Sequence, residues 1–249
     1  ADQPAGRASA GLILPKANLI LGPWLRTELF LNYGEGYHSN DARSAVAPGS
    51  SPLARAKTYE IGARSKPWGP EALELIATLW AIDLQSELVF VGDDGTTDIR
   101  GPTRRRGIEV AARGKVIGPL YVNGSFTWAK AEFRNGDAIP NAPEFTAYGA
   151  AILRYPEGLT TQLQATYFGV RPLTEDRSFK SPSWVVIDLT SRYTLPVKLP
   201  HGRLETFVFI QNLLNTNWEQ ATFAFESRLR NEAAGVTDIF IATRLRHSS

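Results

Sequence analysis

Three features of the sequence predict an all-β chain folded as an antiparallel up-and-down transmembrane β-barrel, with about eleven strands. Apolar and polar residues alternate with period two in one short piece after another. Nearly all of the sixteen prolines fall between those pieces, Pro15 excepted, where a missing amide donor costs no ladder hydrogen bond. The connections alternate between short and long, which sorts them to opposite ends of a sheet.

The predicted strands lie near 12–21, 24–34, 55–66, 72–91, 104–116, 120–132, 144–155, 159–169, 183–194, 203–211 and 236–246. Within 25–33, Leu25, Thr27, Leu29, Leu31 and Tyr33 share one face, opposed by Arg26, Glu28, Phe30 and Asn32. In the stretch ending at Val91, Trp80, Ile82, Leu84, Leu88 and Phe90 oppose Asp83, Gln85 and Glu87. In 184–193, Val185, Ile187, Leu189 and Tyr193 oppose Asp188, Thr190 and Arg192. Such alternation sets one face against an apolar environment and the other against water or polar groups. A helix competes only at 71–84, where Ala72, Leu73, Leu75, Ile76 and Leu79 could line one side. Alternation continuing to Phe90 favours a strand there.

Short connections are predicted at 22–23, 67–70, 117–119 and 156–158, a medium one at 195–202, and long ones at 35–54, 92–103, 133–143, 170–182 and 212–235. Outer-membrane barrels show this asymmetry, with tight periplasmic turns and long extracellular loops. A Greek-key sandwich has no reason to sort loops by end. Trp24, Tyr33, Phe90, Tyr121, Tyr155, Tyr167, Trp184 and Tyr193 lie at or near strand ends, where Tyr and Trp bridge apolar band and headgroups. Aromatics also cap strands in soluble sheets. A soluble β-barrel or sandwich with a binding role therefore stays open at this point, as do a porin-like channel and an outer-membrane enzyme barrel. The membrane reading expects Leu29, Trp80, Leu84, Phe126 and Ile187 to point outward from a curved sheet.

Composition narrows the function classes. Of 249 residues, 27 are Lys or Arg and 25 Asp or Glu, a formal charge of +2 that supplies no electrostatic reason for a nucleic-acid partner. Without cysteine there is no disulfide, thiolate nucleophile or Cys-ligated metal site. The most apolar run, 75–82, is far shorter than the roughly 20 residues of a membrane helix, a limit that does not apply to strands. The sequence lacks methionine, so a processed product or an excerpt is expected.

Several segments resemble those of TonB-dependent outer-membrane receptors. They are Gly34-Glu35-Gly36-Tyr37-His38-Ser39-Asn40-Asp41, Thr58-Tyr59-Glu60-Ile61-Gly62-Ala63-Arg64, and the strand through Ser86-Glu87-Leu88-Val89-Phe90-Val91-Gly92-Asp93. Arg104-Arg105-Arg106-Gly107-Ile108-Glu109, Ile139-Pro140-Asn141-Ala142-Pro143 and Val208-Phe209-Ile210-Gln211-Asn212-Leu213-Leu214-Asn215 continue the match in family order. The resemblance implies half of a 22-stranded barrel. In it, 1–11 is the remnant of an extracellular loop, 12–246 the C-terminal half of the barrel and 247–249 a tail. It implies the bacterial outer membrane, contact with lipid and lipopolysaccharide, and uptake of a metal chelate such as a ferric siderophore, or of a vitamin such as cobalamin. Energy would come from TonB through an N-terminal plug. Without that plug and the upstream strands, this stretch is expected to be inactive and to form no autonomous pore. The family usually ends on an aromatic strand residue, whereas 243–249 reads TRLRHSS.

Candidate site residues follow from the loops and the polar faces. His38, Asn40, Asp41 and Arg43 in the 35–54 loop could contact a ligand or chelated metal, or cap the strand end by Asx hydrogen bonds. Asp93 and Asp94 lie in an acidic segment that resembles part of a calcium loop without EF-hand spacing, a solvated turn being the other reading. Arg104 begins an arginine run readable as a phosphate patch, a lumen-facing ladder or a contact with lipopolysaccharide phosphates. Glu175 and Asp176, beside Arg177, form a charged loop tip. The lumen-facing set is Glu28, Glu60, Arg64, Asp83, Glu87, Arg105, Glu109, Asp188 and Arg192. The histidines His38, His201 and His247 lack metal-ligand spacing, and no nucleophile elbow occurs. No metal site, cofactor or enzymatic activity is expected.

Overall fold

Ten strands follow one another edge to edge, each antiparallel to its neighbours. The computed structural model describes residues 9–39, 53–91, 96–197, 202–219, 221–227 and 236–242. In chain order its strands are β1 (Lys16–Trp24), β2 (Thr27–Ser39), β3 (Leu53–Ser65), β4 (Glu74–Leu84), β5 (Glu87–Val91) and β6 (Thr96–Arg100). Next come β7 (Thr103–Ile117), β8 (Leu120–Phe133), β9 (Phe145–Arg154), β10 (Leu159–Phe168), β11 (Arg171–Pro172) and β12 (Lys180–Ser181). The last are β13 (Trp184–Thr194), β14 (Glu205–Ile210), β15 (Ala221–Ser227) and β16 (Val236–Ala242). The large sheet has the order β1-β2-β3-β4-β7-β8-β9-β10-β13-β14, and β5–β6, β11–β12 and β15–β16 are separate pairs. This is the expected all-β antiparallel fold, as an open sheet. No described helix is long and apolar enough to cross a membrane, which says nothing of strands.

Three expectations change. The sheet holds ten strands rather than eleven, because β16 pairs with β15 and not with β14. The chain leaves β14 through Asn212 and Asn215, whose φ values of 53° and 51° break the extended path. The predicted strand 72–91 is two, β4 and β5, interrupted at Gln85 and Ser86. The first tight turn is not at Gly22–Pro23 but at Leu25 and Arg26, with φ of 49° and 63°, the pair of positive values that a two-residue hairpin requires. Pro23 sits inside β1, where the register shifts between Leu21 and Trp24. Neither residue 22 nor residue 23 pairs with β2 at this irregularity, so the missing proline amide costs no ladder hydrogen bond there.

The connections sort as expected. Turns at one end join β1 to β2, β3 to β4, β7 to β8 and β9 to β10, with the longer 195–204 segment joining β13 to β14. At the other end lie the longer excursions that include β5–β6 and β11–β12.

Register decides what each face presents, because directly paired residues share a face. One row runs Leu19–Leu31–Ile61–Leu79–Ile108–Trp128–Phe145. The next runs Leu21–Leu29–Ala63–Ala77–Val110–Phe126–Ala147–Tyr167–Val185. The opposite face carries Glu28–Arg64, Asn32–Glu60, Thr78–Glu109–Thr127–Thr146 and Gln164–Asp188 among its rows. Leu79 and Ile61 are 53% and 52% exposed, so no second layer among the described residues covers the hydrophobic face. The buried hydrophobic residues Phe133, Ala138, Ile139 and Leu173 belong instead to the end with the longer excursions. A sandwich or closed soluble barrel would bury the hydrophobic rows. This sheet leaves most of them exposed.

Leu29, Phe126 and Ile187 lie on the hydrophobic face, as expected, whereas Trp80 and Leu84 lie on the other. In β4 the hydrophobic face is Ala77, Leu79 and Ala81. Trp80 occupies the polar face because its pairing partner Gly107 offers no side chain there. A Cβ at Gly107 would stand 2.7 Å from Trp80 Cζ2. Phe30 lies over Gly62 in the same way, with a Cβ there 2.8 Å from Phe30 Cε2.

Candidate functional site

The polar face of the sheet and the excursions above it form the only large surface among the described residues where charged and hydrogen-bonding side chains converge from many strands. Antiparallel pairing brings together residues far apart in sequence. Arg64 Nε donates to Glu28 Oε2 at 3.1 Å, and Asn32 Nδ2 to Glu60 Oε2 at 2.9 Å. Glu74 accepts from Arg113 Nη2 at 2.8 Å and has Lys66 Nζ at 3.6 Å. Farther along, Gln162 donates to Gln164 at 2.8 Å, which in turn donates to Asp188 Oδ2 at 2.9 Å. Asp188 is buried, and its second oxygen accepts the Asn212 backbone N–H at 2.7 Å. Asn212 holds the chain's exit from β14 with its own amide, accepting from Thr216 N at 2.8 Å and donating to Thr216 O at 3.0 Å.

At the loop end the same face carries an aromatic cluster. Phe168 and Trp184, cross-strand partners of β10 and β13, stack with centroids 5.3 Å apart at 12°. Trp218 meets Trp184 at 5.2 Å and 50°. Trp184 Nε1 donates to Glu219 O at 3.1 Å. Arg171 is buried against this cluster, its guanidinium carbon 5.0 Å from the Phe168 centroid and its Nη2 donating to Ser181 Oγ at 2.8 Å. Burial pushes the Arg171 guanidinium below its usual pKa, and the Glu219 carboxylate opposes that shift. Fixed rings beside a desolvated cation suit an aromatic or anionic guest. Sequence reasoning missed Arg171 and Trp218. The signal available was Phe168 and Trp184 flanking one predicted loop, but their stacking depends on the β10–β13 register.

The predicted candidates scatter. His38 Nε2 lies 3.1 Å from Ser86 O, tying the end of β2 to the break between β4 and β5. Asp176 accepts from Thr174 Oγ1 at 2.6 Å and from Ser178 N and Oγ at 3.0 and 2.7 Å, and these hydrogen bonds hold its carboxyl down to about 2. The carbonyl of Glu175 accepts from Ala138 N at 2.8 Å. Asn40, Asp41, Arg43, Asp93 and Asp94 lie outside the described residues, and Glu87 is described only as the backbone partner of Arg100.

Of the set expected to share the lumen side, Glu28, Glu60, Arg64, Arg105, Glu109, Asp188 and Arg192 fall on the polar face. Asp83 does not. It shares the hydrophobic-side face with Arg104, whose Nε lies 2.9 Å from Asp83 Oδ1. Arg104 is thus a strand residue of β7 rather than a loop contact. The aromatics expected at strand ends divide too, with Tyr33, Tyr167 and Tyr193 on the hydrophobic face and Tyr121 and Trp184 on the polar one. Among the described residues, no three His, Cys, Asp or Glu side chains gather as a metal site.

Comparison with solved structures places this sheet in barrel walls. The closed form of the ferric-catecholate import receptor Fiu of E. coli is 21% identical, with a TM-score of 0.63 over 82% of this chain and 31% of its own. BauA, the ferric preacinetobactin receptor of Acinetobacter baumannii, is 20% identical, with a TM-score of 0.64 over 92% of this chain and 35% of its own. The unliganded ferric citrate transporter FecA is 16% identical, with a TM-score of 0.68 over 92% of this chain and 36% of its own. The chain spans about a third of the length of these neighbours. Two of these neighbours are receptors and the third is a transporter. The family model described as TonB dependent receptor-like, beta-barrel, matches residues 2–213. The chain belongs to the TonB-dependent receptor β-barrel family.

Proposed function

We propose that this chain is part of the barrel wall of a receptor that takes up a scarce metal chelate of the ferric-siderophore type, or a vitamin such as cobalamin. The observation that carries the reading is the register. It gathers hydrophobic side chains on one face and the Glu28–Arg64, Asn32–Glu60 and Gln164–Asp188 contacts on the other, with connections sorted by length to opposite ends. In this reading the hydrophobic face meets lipid, and lipopolysaccharide at the rim. Glu28, Glu60, Arg64, Arg105, Glu109, Asp188 and Arg192 line the lumen against a plug. The excursions after β2, β4, β8, β10 and β14 receive the ligand, and the Phe168–Trp184–Trp218 rings beside Arg171 support an aromatic or anionic chelate. Energy reaches the site through TonB acting on the plug, and this stretch of barrel transports nothing alone. The ligands in the names of its structural neighbours, ferric catecholate, ferric preacinetobactin and ferric citrate, support the chelate class.

The test is uptake of single radiolabelled ferric chelates, and of cobalamin, by cells with and without the gene. Loss of TonB-dependent uptake of one of these ligands on deletion is the expected result. Diffusion of unrelated solutes that persists without TonB would point to a porin-like channel instead.

A further inference from the structure

The polar face of the sheet divides lengthwise into two unlike halves. On β2, β3, β4 and β7 it carries Glu28, Glu60, Arg64, Glu74, Glu109 and Arg113. On β8, β9 and β10 the same face carries Ser125, Thr127, Thr146, Tyr148, Thr166 and Gln164, five hydroxyls and an amide without charge. None of the five hydroxyls is engaged in a side-chain hydrogen bond among the described residues, so each is able to turn toward a passing acceptor.

Charge on this second half stands at its ends. At the loop end, Arg171 is buried beside the stacked Phe168 and Trp184. At the turn end, Arg154 and Arg192 flank Thr160 on one rung, two strands and about 10 Å apart. Both are exposed, and neither is held by a carboxylate among the described residues. Arg154 lies over the Tyr121 ring at 4.5 Å. The carboxylate between the two ends, Asp188, is buried with one oxygen on Gln164 and the other on the Asn212 amide. It is already spent on the fold.

An anion moving down this half meets a cation with aromatic rings, then neutral hydrogen-bonding groups, then two open cations. On the other half it meets Glu28, Glu60 and Glu109, which repel it, and Arg64 and Arg113, which hold it. Passage needs contacts favourable enough to admit the solute, yet weak and numerous enough to release it. We propose that an anionic ferric chelate crosses the wall along the β9–β10 stripe, from Phe168 and Trp184 past Thr146, Tyr148 and Thr166 to Arg154 and Arg192. This route rests on the receptor reading above and narrows the cargo from chelate or vitamin to an anion.

The test uses the full receptor in its native outer membrane, with iron-radiolabelled ferric citrate and a ferric tris-catecholate as probes. Surface binding is read in de-energised cells and uptake in energised ones, each normalised to receptor in the outer-membrane fraction. Thr146→Asp and Thr166→Asp place a carboxylate on the stripe and slow uptake about tenfold or more, with surface binding unchanged. Arg154→Gln combined with Arg192→Gln also slows uptake without weakening binding. Thr146→Asn, polar but uncharged, keeps the parent rate, as does Thr58→Asp on the charged half, where Thr58 lies between Gly34 and Ile82. If an aspartate blocks assembly, Thr146→Cys treated with an anionic methanethiosulfonate adds the charge after folding, with a neutral reagent as control. Parent-like uptake with the charge in place, equal slowing by Thr58→Asp or Thr146→Asn, or loss of surface binding in step with uptake overturns the route and leaves the receptor reading intact. Failure of the unsubstituted receptor to bind either probe overturns the anionic-chelate reading and the route together.

Discussion

The indole of Trp80 lies over Gly107, its cross-strand partner, on the polar face of the sheet. A side chain at 107 and the ring at 80 compete for the same space. Gly107→Ala is expected to destabilise the folded barrel by about 1–3 kcal/mol, the range for forcing atoms into a filled site. Urea unfolding in detergent, followed by tryptophan fluorescence, reads the loss. A Gly107→Ala protein as stable as the parent would show that the ring does not lie there.

Asp188 carries two hydrogen bonds that span three strands, from Gln164 of β10 and from the Asn212 backbone beyond β14. Asp188→Ala leaves the Asn212 N–H without this acceptor in a buried setting and costs about 1–3 kcal/mol. Asp188→Asn keeps a carbonyl acceptor and costs less. Hydrogen exchange at the Asn212 amide distinguishes the two, since only the alanine variant accelerates it strongly.

The loop turn at 174–178 depends on an ionised Asp176. Its carboxyl is held down to about 2 by the Thr174 hydroxyl first and the Ser178 amide and hydroxyl next, against an ordinary 3.8. A depressed carboxyl stabilises above its unfolded pKa and loses that contribution as pH falls through the folded one. The turn therefore holds at pH 5 and loosens between about pH 4 and 2. Ser178 amide exchange across that window measures it, and Asp176→Asn removes the pH dependence.

Arg171 and Phe168 fasten β11 to the end of β10. Arg171→Leu removes the Ser181 hydrogen bond and the cation over the ring, a change of about 1–3 kcal/mol confined to the 169–183 connection. Limited proteolysis is expected to cut there faster in the variant, with the ten-stranded sheet unaffected.

Much of this architecture was legible in the sequence because strand period, turn chemistry and loop length are local properties. The alternation through Leu29, Leu31 and Tyr33, and through Val185, Ile187 and Leu189, assigned faces correctly. Trp80 and Leu84 misled because size was taken for side. Their strand puts Ala77, Leu79 and Ala81 toward the hydrophobic environment, and only the Gly107 partner on another strand makes room for an indole opposite. Asp83 misled for the complementary reason, since near a strand's loop end the outward face changes from hydrophobic to charged. The paired charges Glu35, Lys57, Asp83, Arg104 and Glu132 take one residue from each of β2, β3, β4, β7 and β8, so no linear motif contains them. The Arg171 cluster depends on the β10–β13 register and on Trp218, beyond β14.

The two-faced sheet is the central claim, and the absence of cysteine from the sequence makes it directly measurable. Single substitutions Ile61→Cys, Leu79→Cys and Ile108→Cys on one face, and Glu60→Cys, Thr78→Cys and Glu109→Cys on the other, are labelled with a fluorophore in outer-membrane vesicles. Nitroxide lipids should quench the first three and spare the second, while a water-soluble maleimide should react with the second three first. Quenching that fails to alternate, or protection of Leu79→Cys and Ile108→Cys from both lipid and water, would contradict the lipid-facing assignment.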